Sequence, residues 1–159
     1  MWKDDLYSLT IKHDSEIQRH FYFNVYLKLI KLPEYYDNAI LNVTYNWQAL
    51  AMIDTGATRS GITSSFIKKM GLTPIGETTI FHAVGSSVTS VYTFDVIFPD
   101  EKEFENIEAA EISNAVDCDF VVGMDILRHG DFAFSSENGI MAFSFRSPPM
   151  GKYIDFEIY

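Results

Sequence analysis

A chain of 159 residues can build one well-cored domain but not two. Its 47% hydrophobic and 21% charged residues exclude wholesale disorder. Its 22 acidic and 12 basic residues leave a net charge of −10, which disfavours nucleic-acid phosphates and anionic membrane surfaces as partners. From the N-terminus, Met1-Trp2-Lys3-Asp4-Asp5 has no apolar leader core, and no later run approaches membrane-span length, so a soluble cytoplasmic protein is expected. The segment Phe21–Leu29 alternates apolar odd positions with more polar even ones, the pattern of a half-buried strand. An irregular insertion is expected over residues 31–37. Leu41, Val43 and Tyr45 then alternate with Asn42, Thr44 and Asn46, and a turn at Asn46-Trp47-Gln48 is expected to lead back into Ala49-Leu50-Ala51-Met52-Ile53. That last run is apolar on both faces and predicts a central strand.

Thr63-Ser64-Ser65 followed by Phe66, Ile67 and Met70 predicts a short helix, capped by the serines and stopped by Gly71. Tyr92, Phe94, Val96 and Phe98 alternate into a polar turn over residues 99–102. A second short helix is expected over residues 125–130, with Asp125 as its cap and Gly130 as its stop. Phe132 and Phe134, a turn at Ser136-Glu137-Asn138-Gly139, and Met141, Phe143 and Phe145 form a predicted hairpin. Ile154, Phe156 and Ile158 alternate at the C-terminus. The sum is a mostly β chain with one or two short helices.

The segment most informative for function is Ala51-Met52-Ile53-Asp54-Thr55-Gly56-Ala57-Thr58. A carboxylate at the end of a buried strand is costly unless it is paired, hydrogen-bonded or used. Gly56 allows a sharp turn that brings a backbone N–H towards it, and Thr55 adds a hydroxyl able to bond across an interface or back to the main chain. Asp-Thr-Gly arises by chance about once in 30 chains of this size at average residue usage, so a second signal is needed. It comes from Phe120-Val121-Val122-Gly123-Met124-Asp125-Ile126-Leu127, an apolar strand, a glycine and a helix start.

Together the two segments resemble the retropepsin-like aspartic proteases, in which an apolar strand enters Asp-Thr-Gly-Ala and an apolar-apolar-Gly-x-Asp/Asn-apolar-Leu segment follows. Asp125, where many viral members have Asn, places the resemblance nearer the cellular and bacterial members. It covers residues 21–145. It implies a closed retropepsin-like barrel and a homodimer with one active site on the two-fold axis, acting on polypeptides without metal or organic cofactor. Asp54 would be the catalytic residue. Thr55 would hydrogen-bond across the interface, Gly56 would hold the carboxylates coplanar, and Ala57 would give the substrate room. Val122 and Gly123 would pass beside the Asp54 loop. A hairpin over residues 79–88 would be the flap, with Ala83, Val84, Gly85 and Ser86 at or beside its tip. Viral members often pair an Asp and an Arg at the positions held here by Thr58 and Met124, so that ion pair is absent, and Arg59 is free to approach another acid.

The chemistry that the resemblance implies needs two carboxylates sharing one proton. Asp119, Asp125 and Asp131 are not followed by Thr-Gly or Ser-Gly, so the second carboxylate is expected from a second chain. The alternative is a catalytically silent dimerisation or peptide-binding module on the same fold. The expected layout is an N-terminal extension or edge strand over residues 1–20, the protease domain over 21–146, and a C-terminal strand over 147–159, either at the dimer interface or on its own sheet. Cys118, the single cysteine, excludes an intrachain disulfide; Asp117 and Asp119 beside it disfavour a reactive thiolate. His13, His20, His82 and His129 match no metal-ligand spacing. His82 is expected to be an exposed strand residue, and His129 to favour the end of its helix through the dipole.

Overall fold

The computed structural model describes residues 6–13, 20–30, 34–36, 39–41, 44–82 and 84–153. Among these residues, twelve strands and two α-helices follow one another in the order β1 Tyr7–His13, β2 Tyr22–Ile30, β3 Glu34–Tyr36, β4 Ala39–Leu41, β5 Thr44–Ile53, β6 Gly61–Thr63, α1 Ser64–Met70, β7 Gly76–His82, β8 Gly85–Ile97, β9 Glu103–Ile112, β10 Phe120–Val122, α2 Met124–Leu127, β11 Asp131–Glu137 and β12 Ile140–Ser147. A 3-10 turn, Pro99–Glu101, joins β8 to β9.

Strands β2, β5, β10, β6, β9 and β8 pair in that order, and β8 pairs back onto β2 through Tyr26↔Ile97, Leu27↔Val96 and Lys28↔Asp95. The sheet therefore closes into a barrel and loses its free edges. Only the β5–β10 and β6–β9 pairs are parallel. Strand β7 hangs from β8 as the outer arm of a hairpin. A second sheet, β1–β12–β11, packs beside the barrel.

Alternation places the core where the sequence indicates. Phe23, Val25 and Leu27 of β2, Tyr92, Phe94 and Val96 of β8, and Phe143 and Phe145 of β12 are all buried. Phe98 links the two sheets. Its ring lies 4.9 Å from both Phe23 and Phe104 on the barrel side, and 6.4 Å and 6.1 Å from Tyr7 and Phe145 of the outer sheet. At the start of β11, Asp131 accepts bonds from the Met150 N–H and the Arg146 Nε. These two bonds, the first the stronger influence, hold its carboxyl below the ordinary range. The anchoring is therefore intact above the ordinary carboxylate pKa and fades only as pH falls through the depressed one.

Several expectations are corrected. Residues 46–48 do not turn. They continue β5, paired with β2 at Lys28↔Asn46, Leu27↔Trp47 and Tyr26↔Gln48. No glycine or proline there forces a reversal, and the ladder to β2 satisfies those backbone groups. Upstream, β3, inside the region expected to be irregular, pairs antiparallel with β4 just beyond it (Glu34↔Leu41); Asn42 and Val43 lie outside the described residues. Leu50, expected to be buried in a central strand, is 39% exposed. Helix α1 begins after Thr63 with no side-chain cap from its own serines. The Ser65 N–H is met instead by Asn114 Oδ1 at 2.9 Å. Gly71 closes the helix in the left-handed conformation, as expected. Gly130 does not stop α2, which ends at Leu127. It is small because a Cβ there would lie 2.0 Å from the Arg146 carbonyl oxygen. The alternating tail at Ile154, Phe156 and Ile158 lies outside the described residues.

Replacing Phe98 by Ala removes the ring shared by both sheets. The substitution is expected to cost about 3–5 kcal/mol, read as a lower midpoint in urea unfolding.

Candidate active site

Strand β5 delivers Asp54 to the barrel rim. Its last residue, Ile53, is held by an N–H bond to the Phe21 carbonyl at 2.9 Å, and the Asp54 N–H bonds the Val122 carbonyl at 3.1 Å. The chain then turns tightly, with the Ala57 N–H donating to the Asp54 carbonyl at 3.2 Å. Within this turn the Gly56 N–H donates to Asp54 Oδ1 at 2.9 Å. A Cβ on Gly56 would lie 3.2 Å from that same oxygen. The glycine therefore serves close approach rather than a left-handed backbone. Asp54 and Ala57 are half-buried, while Thr55 and Gly56 are exposed.

The turn is fastened to β10 and α2. The Met124 N–H donates to the Ala57 carbonyl at 2.8 Å. Gly123 passes so close that a Cβ would lie 2.7 Å from the Arg59 carbonyl carbon and 2.9 Å from the Ala57 oxygen. Ser60 is wholly buried. Its hydroxyl donates to Asp125 Oδ1 at 2.7 Å and accepts from the Gly123 N–H at 3.1 Å, while its N–H donates to Asp125 Oδ2 at 3.0 Å. Asp125 is thus not the cap of α2, a position held by Gly123. Its carboxylate reaches across to Ser60 because two donors there satisfy it better than its own helix end. Sequence reasoning missed Ser60, since a lone serine carries no pattern; its one available signal was Asp125 in the second segment. Arg59, without the viral-type partner, pairs with Glu108 Oε2 at 2.9 Å.

A groove of about 590 Å³ opens beside Asp54, Gly56 and Ala57. Thr79, Ile80 and Phe81 of β7 line one wall, and Ile112, Val116 and Val121 another. The β7–β8 hairpin pairs from Gly76↔Val91 to His82↔Gly85, so Gly85 and Ser86 of the expected Val84-Gly85-Ser86 tip already stand in the ladder and Val84 lies beyond it. Val84, Gly85 and Ser86 are exposed, while Ala83 lies outside the described residues, as does the side chain of His82. Val122 and Gly123 are buried behind the Asp54 turn and do not line the groove. Burial first, and then the Asp119 carboxylate, push the Cys118 thiol up to about 11. Among the described residues no cluster of three His, Cys, Asp or Glu side chains could hold a metal ion. No described helix is long and apolar enough to cross a membrane.

Ser60→Ala strands the Gly123 N–H and removes one of the two donors to Asp125 Oδ1, leaving the Ile126 N–H. It is expected to cost about 1–3 kcal/mol; Asp125→Asn, whose NH2 in either flip faces an N–H that the carboxylate accepts from (Ser60 or Ile126), is expected to cost at least as much. Urea unfolding of both variants at unchanged m-value checks the order.

The profile of a family described as "gag-polyprotein putative aspartyl protease" matches residues 42–129, over half of the chain. None of the curated proteins compared matches the sequence. Among solved structures, a retropepsin-like aspartic protease from Rickettsia conorii is similar at a TM-score of 0.55 and 21% identity, covering 92% of this chain and 97% of that one. The barrel is thus retropepsin-like, and with the Asp-Thr-Gly turn at its rim and the family match across both motif segments, the chain belongs to the gag-type, retropepsin-like aspartyl proteases.

Proposed function

We propose that the protein is a homodimeric aspartic endopeptidase whose active site pairs Asp54 of one chain with Asp54 of a second. The observation that carries this reading is the composition of the groove: among the described residues that line it, Asp54 is the single carboxylate. One carboxylate cannot both remove a proton from water and donate a hydrogen bond to the scissile carbonyl. A two-fold pairing supplies both groups from one sequence position. The exposure of Thr55 suits a role across such an interface, since its hydroxyl takes no hydrogen bond among the described residues.

Two carboxylates about 3 Å apart hold one proton between them. The ionised partner takes a proton from bound water. The protonated partner hydrogen-bonds the substrate carbonyl, and the water oxygen adds to the carbonyl carbon. Collapse of the tetrahedral species breaks the C–N bond as the departing nitrogen gains a proton. No covalent enzyme intermediate forms. Gly56 contributes an N–H that fixes the orientation of each carboxylate, and Ala57 leaves space above them. The β7–β8 hairpin, with Val84, Gly85 and Ser86 near its tip, covers an extended peptide and offers it main-chain hydrogen bonds. Residues 21–146 form the catalytic unit, flanked by residues 1–20 and 147–159.

A mixed peptide library incubated between about pH 4 and pH 7 tests the reading. Cleavage should follow a bell-shaped profile, lost when both carboxylates are protonated and again when both ionise, with neither limb assignable to one residue. Asp54→Asn should lower kcat/KM by on the order of 10²–10⁴-fold or more. Peptide binding without cleavage by the wild type would favour a silent binding module instead.

A further inference from the structure

Among the described residues that line the groove, Asp54 and Arg59 are the only charged ones. The other described lining residues are apolar or carry hydroxyls, so among them Arg59 is the one cation, in a chain whose net charge is −10. Thr58 and Arg59 also line a second space of about 370 Å³, which Asp54 does not reach. Arg59 therefore stands where the two spaces meet, away from the reacting carboxylate.

Its backbone is held firmly. The Arg59 carbonyl carbon packs against Gly123, and the next residue is the wholly buried Ser60 with its bonds to Asp125 and Gly123. The guanidinium thus extends from a fixed root, as a selective contact requires. The side chain is 39% exposed, and Nη1 is bonded to Glu108, itself 56% exposed. An exposed pair of this kind is readily exchanged for another carboxylate. The second space carries charges of both signs, Glu105, Glu108 and Asp125 beside Arg128 and His129, whereas on the groove side of the junction Arg59 is the one cation among the described lining residues.

We propose that Arg59 is a specificity-determining residue that takes the side-chain carboxylate of a peptide Asp or Glu, displacing Glu108 and forming a forked guanidinium–carboxylate contact at a position removed from the bond being cut. The proposal rests on the protease reading above. The two-fold arrangement of that reading puts one Arg59 at each end of the shared groove, so the preference falls at two peptide positions, one on either side of the cut. It is positional, not general. The chain's overall negative field does not attract acidic peptides at range, and the contact acts within a Debye length of about 8–10 Å.

The test is a dodecapeptide library in which one position at a time is fixed as Glu or Gln, assayed at about pH 6, where the peptide Glu is ionised. The wild type should favour Glu over Gln in kcat/KM by about tenfold at two positions flanking the cut and show ratios near one elsewhere. Arg59→Gln should bring those two ratios to about one, and Glu108→Gln, which removes the competing carboxylate, should raise them. The preference should fade below about pH 4 as the peptide Glu protonates. Flat ratios in the wild type, or a preference that survives Arg59→Gln, overturn the proposal. Binding of the same peptides to Asp54→Asn protein, with and without Arg59→Gln, reads the preference without cleavage. If the wild type cuts nothing, the protease reading fails, while an Arg59-dependent Glu preference in binding still supports the recognition site and its absence overturns it.

Discussion

The hydroxyl of Ser60, buried and shared between the Asp125 carboxylate and the Gly123 N–H, locks the Asp54 turn onto the strand and helix behind it. Two segments more than 60 residues apart in sequence meet there, and neither fixes the position of Asp54 alone. Strand β5 supplies direction, the Met124 N–H bond to Ala57 sets the depth of the turn, and Gly123 permits contact closer than any side chain would. A buried hydrogen-bond network of this kind rigidifies only when each member is satisfied. Here the two Asp125 oxygens receive donors from the Ser60 N–H and hydroxyl, and Oδ1 also accepts from the Ile126 N–H. The result is a carboxylate held at a barrel rim with its orientation already set by the Gly56 N–H. Preorganisation of this sort is what acid–base chemistry on an unactivated amide requires.

The viral-type Asp–Arg ion pair is replaced rather than simply lost. Thr58 and Met124 occupy its positions, and the link between turn and helix passes one or two residues further along each segment, to Ser60 and Asp125. Arg59, next to Ser60, pairs with Glu108 and is among the residues that line the groove. The described walls of that groove are otherwise apolar or hydroxyl-bearing apart from Asp54, so Arg59 is a cation among neutral side chains and one carboxylate. The same single chain leaves Phe81 84% and Val84 93% exposed on and beside the hairpin tip over that groove. Apolar groups so placed gain by burial against a peptide or a second copy, which accords with the proposed dimeric protease.

Much of the fold was legible because the barrel strands are half-buried and alternate. Phe23, Val25 and Leu27, and Tyr92, Phe94 and Val96, declare their inward face at period two. Gly71 was legible as a helix stop because its left-handed conformation suits glycine. The failures share a cause, which is long-range pairing. Trp47 lies in a strand rather than a turn because β2 runs alongside it for its full length, a partner that local composition cannot reveal. Asp125 resembled a cap because caps are local, yet its partner Ser60 is 65 residues away. Gly130 resembled a stop for the same reason, although the atom that requires it is the Arg146 carbonyl. At the candidate site the Asp54-Thr55-Gly56 turn was legible from its chemistry, whereas Ser60 and the Arg59–Glu108 pair depend on tertiary contacts that follow no sequence period.

The central claim is that one working site needs the acidic turn of two chains. Wild-type and Asp54→Asn chains, allowed to exchange subunits at fixed total concentration, test it directly. If both carboxylates are required, cleavage falls as the square of the wild-type fraction, to about one quarter in an equal mixture. A linear fall, to about one half, would mean that each chain cleaves alone and would contradict the account.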